Sequence, residues 1–450
     1  MQPSAWEPPD LDLEPFLDLS TVTVTGTWMD LPQEIVNHIL FLLGNDLKSL
    51  KACSLTCKTM FVSTRPIIHR KVSLTYEQNW EVLTLREKQR YIRGDRQDIA
   101  LKVLYGIAAH GLLPYGRHLT INTNKVLTPA NLQPFNHHFQ RLDRIQELSI
   151  YWLDTPGFLE QFDTFFENLV PTLRSLHLAR PTGDTRDILD FICRFPHLED
   201  LSFSTSSENF HDWETWRSAS LPIVKKIPPF RGRLKLGRIS EWHGHILQQL
   251  ISLPGKPRFR FVDFQSCPAV VEQLIIDTCS GTIETLSTTW KKFCECDLPN
   301  YATSVLSYTE VAIGEKGLPF NLTKVKNLRS LALRVDFEAI RYPYNVLSQT
   351  LHTITSPSFS EFVLEVGWIP WNVEPAANAQ IWWGTWTELD KMFEGMDVER
   401  GFKVIIRTER VDNRSNFIAQ ARDRLPLMDA RNGLIFEIGQ LREERLSNYW

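Results

Sequence analysis

Apolar positions recur in two rhythms along the 450 residues. Between residues 29 and 75 the rhythm is helical. Ile35, Ile39 and Leu42 fall on one stripe of a first helix, and Val36, Leu40 and Leu43 on the neighbouring stripe. Asp30 suits the N-cap, Pro32 the first turn, where a missing N–H costs little, and Glu34 the positive end of the helix dipole. Gly44 suits the helix end, and Asn45 or Asp46 can cap a second helix carrying Leu47, Leu50, Cys53 and Cys57 at helical spacing. One apolar stripe per helix suffices for a small helical unit. About 45 residues cannot bury a helix that is apolar on nearly two faces. The surplus predicts a second body packed on this helix, either another protein or the rest of this chain.

From about residue 117 the rhythm changes to apolar-x-x-Leu-x-apolar. It reads Ile145 to Ile150, Leu173 to Leu178, Leu198 to Phe203 and Leu328 to Leu333, with Ile283 to Leu286 as a shorter copy. Arg117 to Ile121 reads as the first strand. The central leucines at 119, 148, 176 and 201 are spaced by 29, 28 and 25 residues, and the interval stretches to 45 between Leu286 and Leu331. Helical apolar stripes ending in proline precede several strands: Phe158 to Leu169 before Pro171, Ile188 to Phe195 before Pro196, Ile246 to Leu253 before Pro254. Strand, helix and proline in repetition predict an α/β solenoid of parallel strands with outer helices, each unit burying its apolar face only by stacking. A doubly wound α/β domain alternates the same elements, but its Gly-rich phosphate turn is absent from the chain.

The resulting division is a leader at 1–28, a small three-helix unit at 29–75, a charged helical linker at 76–115, the repeats at 116–410 and a C-terminal cap at 411–450. The Phe362–Val366 and Val404–Ile406 runs read as further strands, and Trp382, Trp383 and Trp386 precede a helix near Leu389 to Phe393. The leader is acidic and proline-rich, without the basic start and apolar core of a signal peptide. A composition that is 43% hydrophobic and 23% charged supplies a real core. A net charge of −4 argues against nucleic-acid or membrane-surface binding, and seven scattered cysteines fit a reducing compartment, cytoplasmic or nuclear.

Leu31-Pro32-Gln33-Glu34-Ile35-Val36-Asn37-His38-Ile39-Leu40, followed by Asp46-Leu47, Ala52-Cys53-Ser54-Leu55 and Cys57-Lys58, resembles the F-box. The resemblance covers about a tenth of the chain. The family usually carries Trp shortly after the Cys-Lys pair, where this chain has Met60 and Phe61. The spacing of the strand motif resembles leucine-rich repeats of ~20–29 residues. The Asn that ladders between turns in such repeats is replaced by Leu153, Pro181, Ser206, Lys291 and Asp336, so the expectation is an irregular horseshoe. The combination looks like the large fungal F-box class.

The resemblance implies a non-catalytic substrate-recognition subunit of an SCF-type ubiquitin ligase. In it the F-box binds a Skp-type adaptor, and through it a cullin, while the repeats bind a target protein. It places adaptor contact or its immediate support at Leu31, Pro32, Ile35, Ile39, Leu40 and Leu43. Two other classes stay open: a scaffolding protein whose F-box recruits no ubiquitylation target, and an enzyme with a site in the C-terminal domain.

Catalytic motifs are missing: there is no phosphate loop, nucleophile elbow or His-Glu-x-x-His. No cofactor is expected. Cys279, Cys294 and Cys296 are the nearest approach to a metal set and lack an obvious fourth ligand, so ordinary thiols are expected. Arg231, Arg233, Lys235 and Arg238 alternate with small and apolar residues, as on a solvated strand face. Trp382 and Trp383 suit either the core or an interface.

Overall fold

The computed structural model describes residues 32–43, 46–74, 113–122, 142–151, 163–179, 181, 185–204, 228–238, 246–247, 249–251, 255–267, 269–290, 320–335, 349–369, 386–387, 389–393, 401–411 and 414–438. Twelve parallel strands form one sheet: β1 (Lys71–Leu74), β2 (His118–Asn122), β3 (Glu147–Tyr151), β4 (Ser175–Ala179), β5 (Asp200–Ser204), β6 (Arg233–Arg238), β7 (Phe261–Ser266), β8 (Thr285–Trp290), β9 (Ser330–Val335), β10 (Glu361–Ile369), β11 (Lys403–Val411) and β12 (Leu434–Ile438). Each strand pairs with the next in sequence. A doubly wound sheet reverses its strand order at a switch point. This order never reverses, so the arrangement is solenoid-like.

Register follows the repeated leucine. Leu119, Leu148, Leu176 and Leu201 stand opposite one another, and Leu234, Val262, Leu286 and Leu331 continue the row. All eight are essentially buried. Helices α4 (Asp163–Leu169), α5 (Thr185–Cys193) and α6 (Ala269–Cys279) lie in the crossovers. They lay Phe166, Ile188, Ile192 and Ile276 into the same core. Phe166, Phe191 and Phe195 meet edge to face at 4.9 and 5.2 Å, an arrangement aromatic rings favour.

Backbone carbonyls hold successive turns together where an asparagine row would otherwise do so. The carbonyl just ahead of a strand accepts two N–H groups of the next turn. Arg117 O takes Gln146 N and Glu147 N at 2.8 and 3.0 Å, and Arg174 O takes Glu199 N and Asp200 N at 2.7 and 2.9 Å. Gln146, Arg260, Glu284 and Arg329 repeat the pattern. Between β5 and β6 the second donor switches: Gly232 N bonds Glu199 O, while Arg233 N bonds the Asp200 side chain. A Cβ on Gly232 would lie 2.0 Å from Asp200 Oδ1. Gly232→Ala must therefore expel that carboxylate, and is expected to lower stability by about 1–3 kcal/mol in urea denaturation. Gly281→Ala, where a Cβ meets nothing within 4 Å, is expected to stay within about 0.5 kcal/mol of wild type.

Two boundaries and one strand differ from the sequence expectation. The sheet begins at β1, inside the segment assigned to the three-helix unit, and not at Arg117. It also runs past residue 410. The segment expected to be only a cap contributes α7 (Arg414–Arg424), α8 (Pro426–Ala430) and a further paired strand, β12. Strand β7 was not anticipated. Of the expected helical linker, only Leu113–Tyr115 lies among the described residues, as a 3-10 turn.

Candidate docking helix and recognition face

Three helices precede the sheet: α1 (Gln33–Leu43), α2 (Leu47–Ser54) and α3 (Lys58–Ile68). Asp46 caps α2, accepting Ser49 N at 3.1 Å, and this bonding with Ser49 lowers its carboxyl below the ordinary value. Cys57 caps α3 with its sulfur. Gln33 Nε2 donates to Ser63 Oγ at 2.8 Å, tying the start of α1 to α3. The unit has its own small core of Val36, Leu40 and Leu50, with Leu43, Cys53 and Met60 packed against it. Met60 thus fills apolar space near the place where the F-box pattern has Trp.

The two stripes of α1 separate cleanly. Val36 and Leu40 face inward, while Ile35 and Ile39 are 46% and 41% exposed and Phe41 and Leu42 more than 70%. Leu47, Leu55 and Val62 are exposed as well. Of the six expected contact residues, Pro32, Ile35 and Ile39 lie at the surface. Leu40, at 0% exposure, belongs to the unit's core, the place of a supporting residue. Leu43 is half-buried against the same core. Leu31 lies outside the described residues, as do Asp30 and Gly44. Phe41 and Leu42, the most exposed apolar residues of α1, were not among the expected contact residues. Leu42 continues the Ile35–Ile39 stripe, whereas Phe41 falls between stripes and gave no periodic signal.

The sheet face turned away from the helices changes character along its length. On β2 to β5 it carries Thr120, Ser149, His177 and Ser202 in one row. His177 Nδ1 lies 2.8 Å from Ser202 Oγ, and its ring meets Tyr151 edge to face at 5.6 Å. Burial, helped by the Lys235 charge, pushes His177 down to about 4, so the ring is neutral at pH 7. On β7 to β12 the face carries a string of charges. Arg334 reaches Asp263 at 2.8 Å and Glu365 at 2.5 Å, and Arg407 reaches Glu365 and Glu437, each at 2.6 Å. Beside it Ala332, Val363 and Ile405 form a buried cluster of their own.

Nothing resembling a reactive centre is gathered among the described residues. No group of three or more His, Cys, Asp or Glu side chains is placed to hold a metal ion there. Burial raises the Cys193 thiol to about 12 and the Cys279 thiol to about 11, which keeps both protonated and poorly nucleophilic. Cys279 Sγ lies 3.5 Å from Pro257 O, and Cys294 and Cys296 lie outside the described residues. Trp386 is in the core, and Trp382 and Trp383 are outside the described residues. No described helix is long and apolar enough to cross a membrane.

No protein-family model matches the chain, and no curated protein matches it.

Proposed function

We propose that this chain is the non-catalytic substrate-recognition subunit of an SCF-type ubiquitin ligase. On this reading α1–α3 are an F-box that docks a Skp-type adaptor, and through it a cullin, in the cytoplasm or nucleus. The irregular leucine-rich repeats bind the protein to be modified. The observation that carries it is the uncovered stripe of Ile35, Ile39 and Leu42, widened by Phe41. A unit this small gains little by exposing such residues, and contiguous exposed apolar surface marks interaction sites. The resemblance of Leu31 to Lys58 to the F-box supplies the partner class.

The test is co-purification with the Skp-type adaptor. Ile39→Ala/Leu42→Ala removes two exposed side chains, so the fold should survive while affinity falls. Truncating buried interface anchors costs more than ~1–2 kcal/mol each, so the pair should weaken binding by roughly a hundredfold. Wild type that is folded yet fails to bind the adaptor would end the assignment.

A further inference from the structure

Because every strand runs the same way, every turn that leads into a strand lies along one edge of the sheet. On two turns of this edge an arginine is answered by a carboxylate of the next turn. Arg174 meets Glu199 and Arg260 meets Glu284, both at 2.7 Å. On the turns into β6 and β7 further cations stand beside Arg260. Arg231, Arg233, Lys256 and Arg258 are exposed there, and none forms an ion pair among the described residues. Asp200 senses the Arg233 charge, but its Oδ1 is committed to the Arg233 backbone N–H.

A cavity of about 440 Å³ opens beside these turns, lined by Lys256 and Arg258 together with Gly255, Pro257, Thr278 and Thr282. Thr278 and Thr282 donate their hydroxyl hydrogens to the Leu274 and Phe259 carbonyls. The charge offered to a ligand is therefore that of the two cations. Phe261 stands opposite Arg233 in the β6–β7 register and is 38% exposed, with the Arg260 guanidinium 5.8 Å from its ring centre. Arginine beside an accessible aromatic ring is the composition of binding hot spots.

We propose that this patch binds an acidic segment of a partner protein. One carboxylate enters the cavity between Lys256 and Arg258, others lie on Arg231 and Arg233, and an apolar side chain rests on Phe261. Charge complementarity selects the partner: four exposed cations without an ion pair among the described residues gather on two adjacent turns of a chain whose net charge is −4. The patch is too small for duplex nucleic acid, whose binding proteins make roughly 6–10 phosphate contacts. The inference rests on reading the repeats as a recognition surface, but not on adaptor docking.

The experiment uses the full chain and a short fluorescent peptide rich in Asp and Glu with one Leu, read by anisotropy. Arg231→Ala/Arg233→Ala and Lys256→Ala/Arg258→Ala should each raise Kd at least tenfold. Lys48→Ala/Lys51→Ala, on α2, should leave it unchanged. Adaptor co-purification of the same variants should be normal, which separates failure here from failure of the F-box reading. The proposal is overturned if wild type does not bind the peptide, if the patch variants bind it equally well, or if a DNA duplex displaces it at equal or lower concentration.

Discussion

Glu365→Ala is expected to destabilise the sheet by about 1.5–3 kcal/mol, more than removal of a half-exposed charge pair. Glu365 sits on β10 with 7% of its side chain exposed, bonded by Arg334 from β9 and Arg407 from β11. Burial works against the Arg334 charge, yet Asp263 and Glu365 hold its guanidinium above the ordinary value. The same is true of Arg407, held by Glu437 and Glu365. Alanine at 365 would take one of two carboxylates from each guanidinium, leaving Arg334 with Asp263 and Arg407 with Glu437, each arginine about a quarter exposed. The comparison is Arg174→Ala, whose pair with Glu199 is about half exposed and should contribute no more than about 1 kcal/mol. Urea denaturation of the two variants decides the matter: equal losses would mean that water already screens the Glu365 string.

That string also bears on where a partner can bind. Its arginines are committed to carboxylates on the same sheet, and the cluster beside it is buried. A partner meets fewer unsatisfied groups on β9 to β12 than at the turns into β6 and β7. The proposed recognition patch therefore lies in the middle of the repeats, where exposed cations form no ion pair among the described residues.

The fold was legible in the chain where leucine occupies the central place of the motif, as in β3, β4, β5 and β9. It was illegible where other residues do the same work. Phe259-Arg-Phe-Val262-Asp-Phe264 carries the motif in aromatic and β-branched residues, and its Phe259, Val262 and Phe264 are buried like the leucines they replace. In β12, Leu434 and Phe436 pack on the main core while Ile435 joins the cluster on the opposite face. Apolar residues on both faces erase the alternation by which a strand is read. The missing asparagines suggested an irregular stack, yet the turns are held by paired carbonyl acceptors, which any residue can supply.

The docking helix was half legible. Two stripes and too little material to cover both could be counted from residues alone. Which stripe faces inward depends on where α2 and α3 pack, and that is decided by Leu50 and Met60, distant in sequence from Leu40. Hence Leu40 was placed with the contact residues and Leu42 was not. Half of the basic patch, Arg231 and Arg233, was noticed together with Lys235 and Arg238 but was read as a solvated strand face. Its other half, Lys256 and Arg258, becomes adjacent only through parallel pairing of β6 with β7.

Glu272→Gln is expected to stabilise the protein at alkaline pH by an amount that vanishes in acid. Glu272 lies on α6 with 3% exposure, and its carboxyl has the Thr288 hydroxyl as hydrogen-bond partner at 3.1 Å. Burial pushes the group from an ordinary 4.5 to about 8, against the smaller opposing effect of the Thr288 hydrogen bond. The neighbouring Cys267 thiol is itself driven upward, by burial first and by Glu272 second, and adds no positive charge. In the window between the two values the folded chain keeps a proton that the unfolded chain has released. Stability therefore falls as pH rises from about 4.5 to about 8, at about 1.4 kcal/mol per unit. The accumulated loss is on the order of 5 kcal/mol, and above the window it is constant. Glutamine keeps the shape and the bond to Thr288 without a titrating proton, so the two proteins should be equally stable near pH 4 and diverge up to pH 8. Denaturation midpoints across that range, taken on both proteins, provide the check. Parallel curves would show that water or a cation reaches Glu272 and that it is ionised in the folded core.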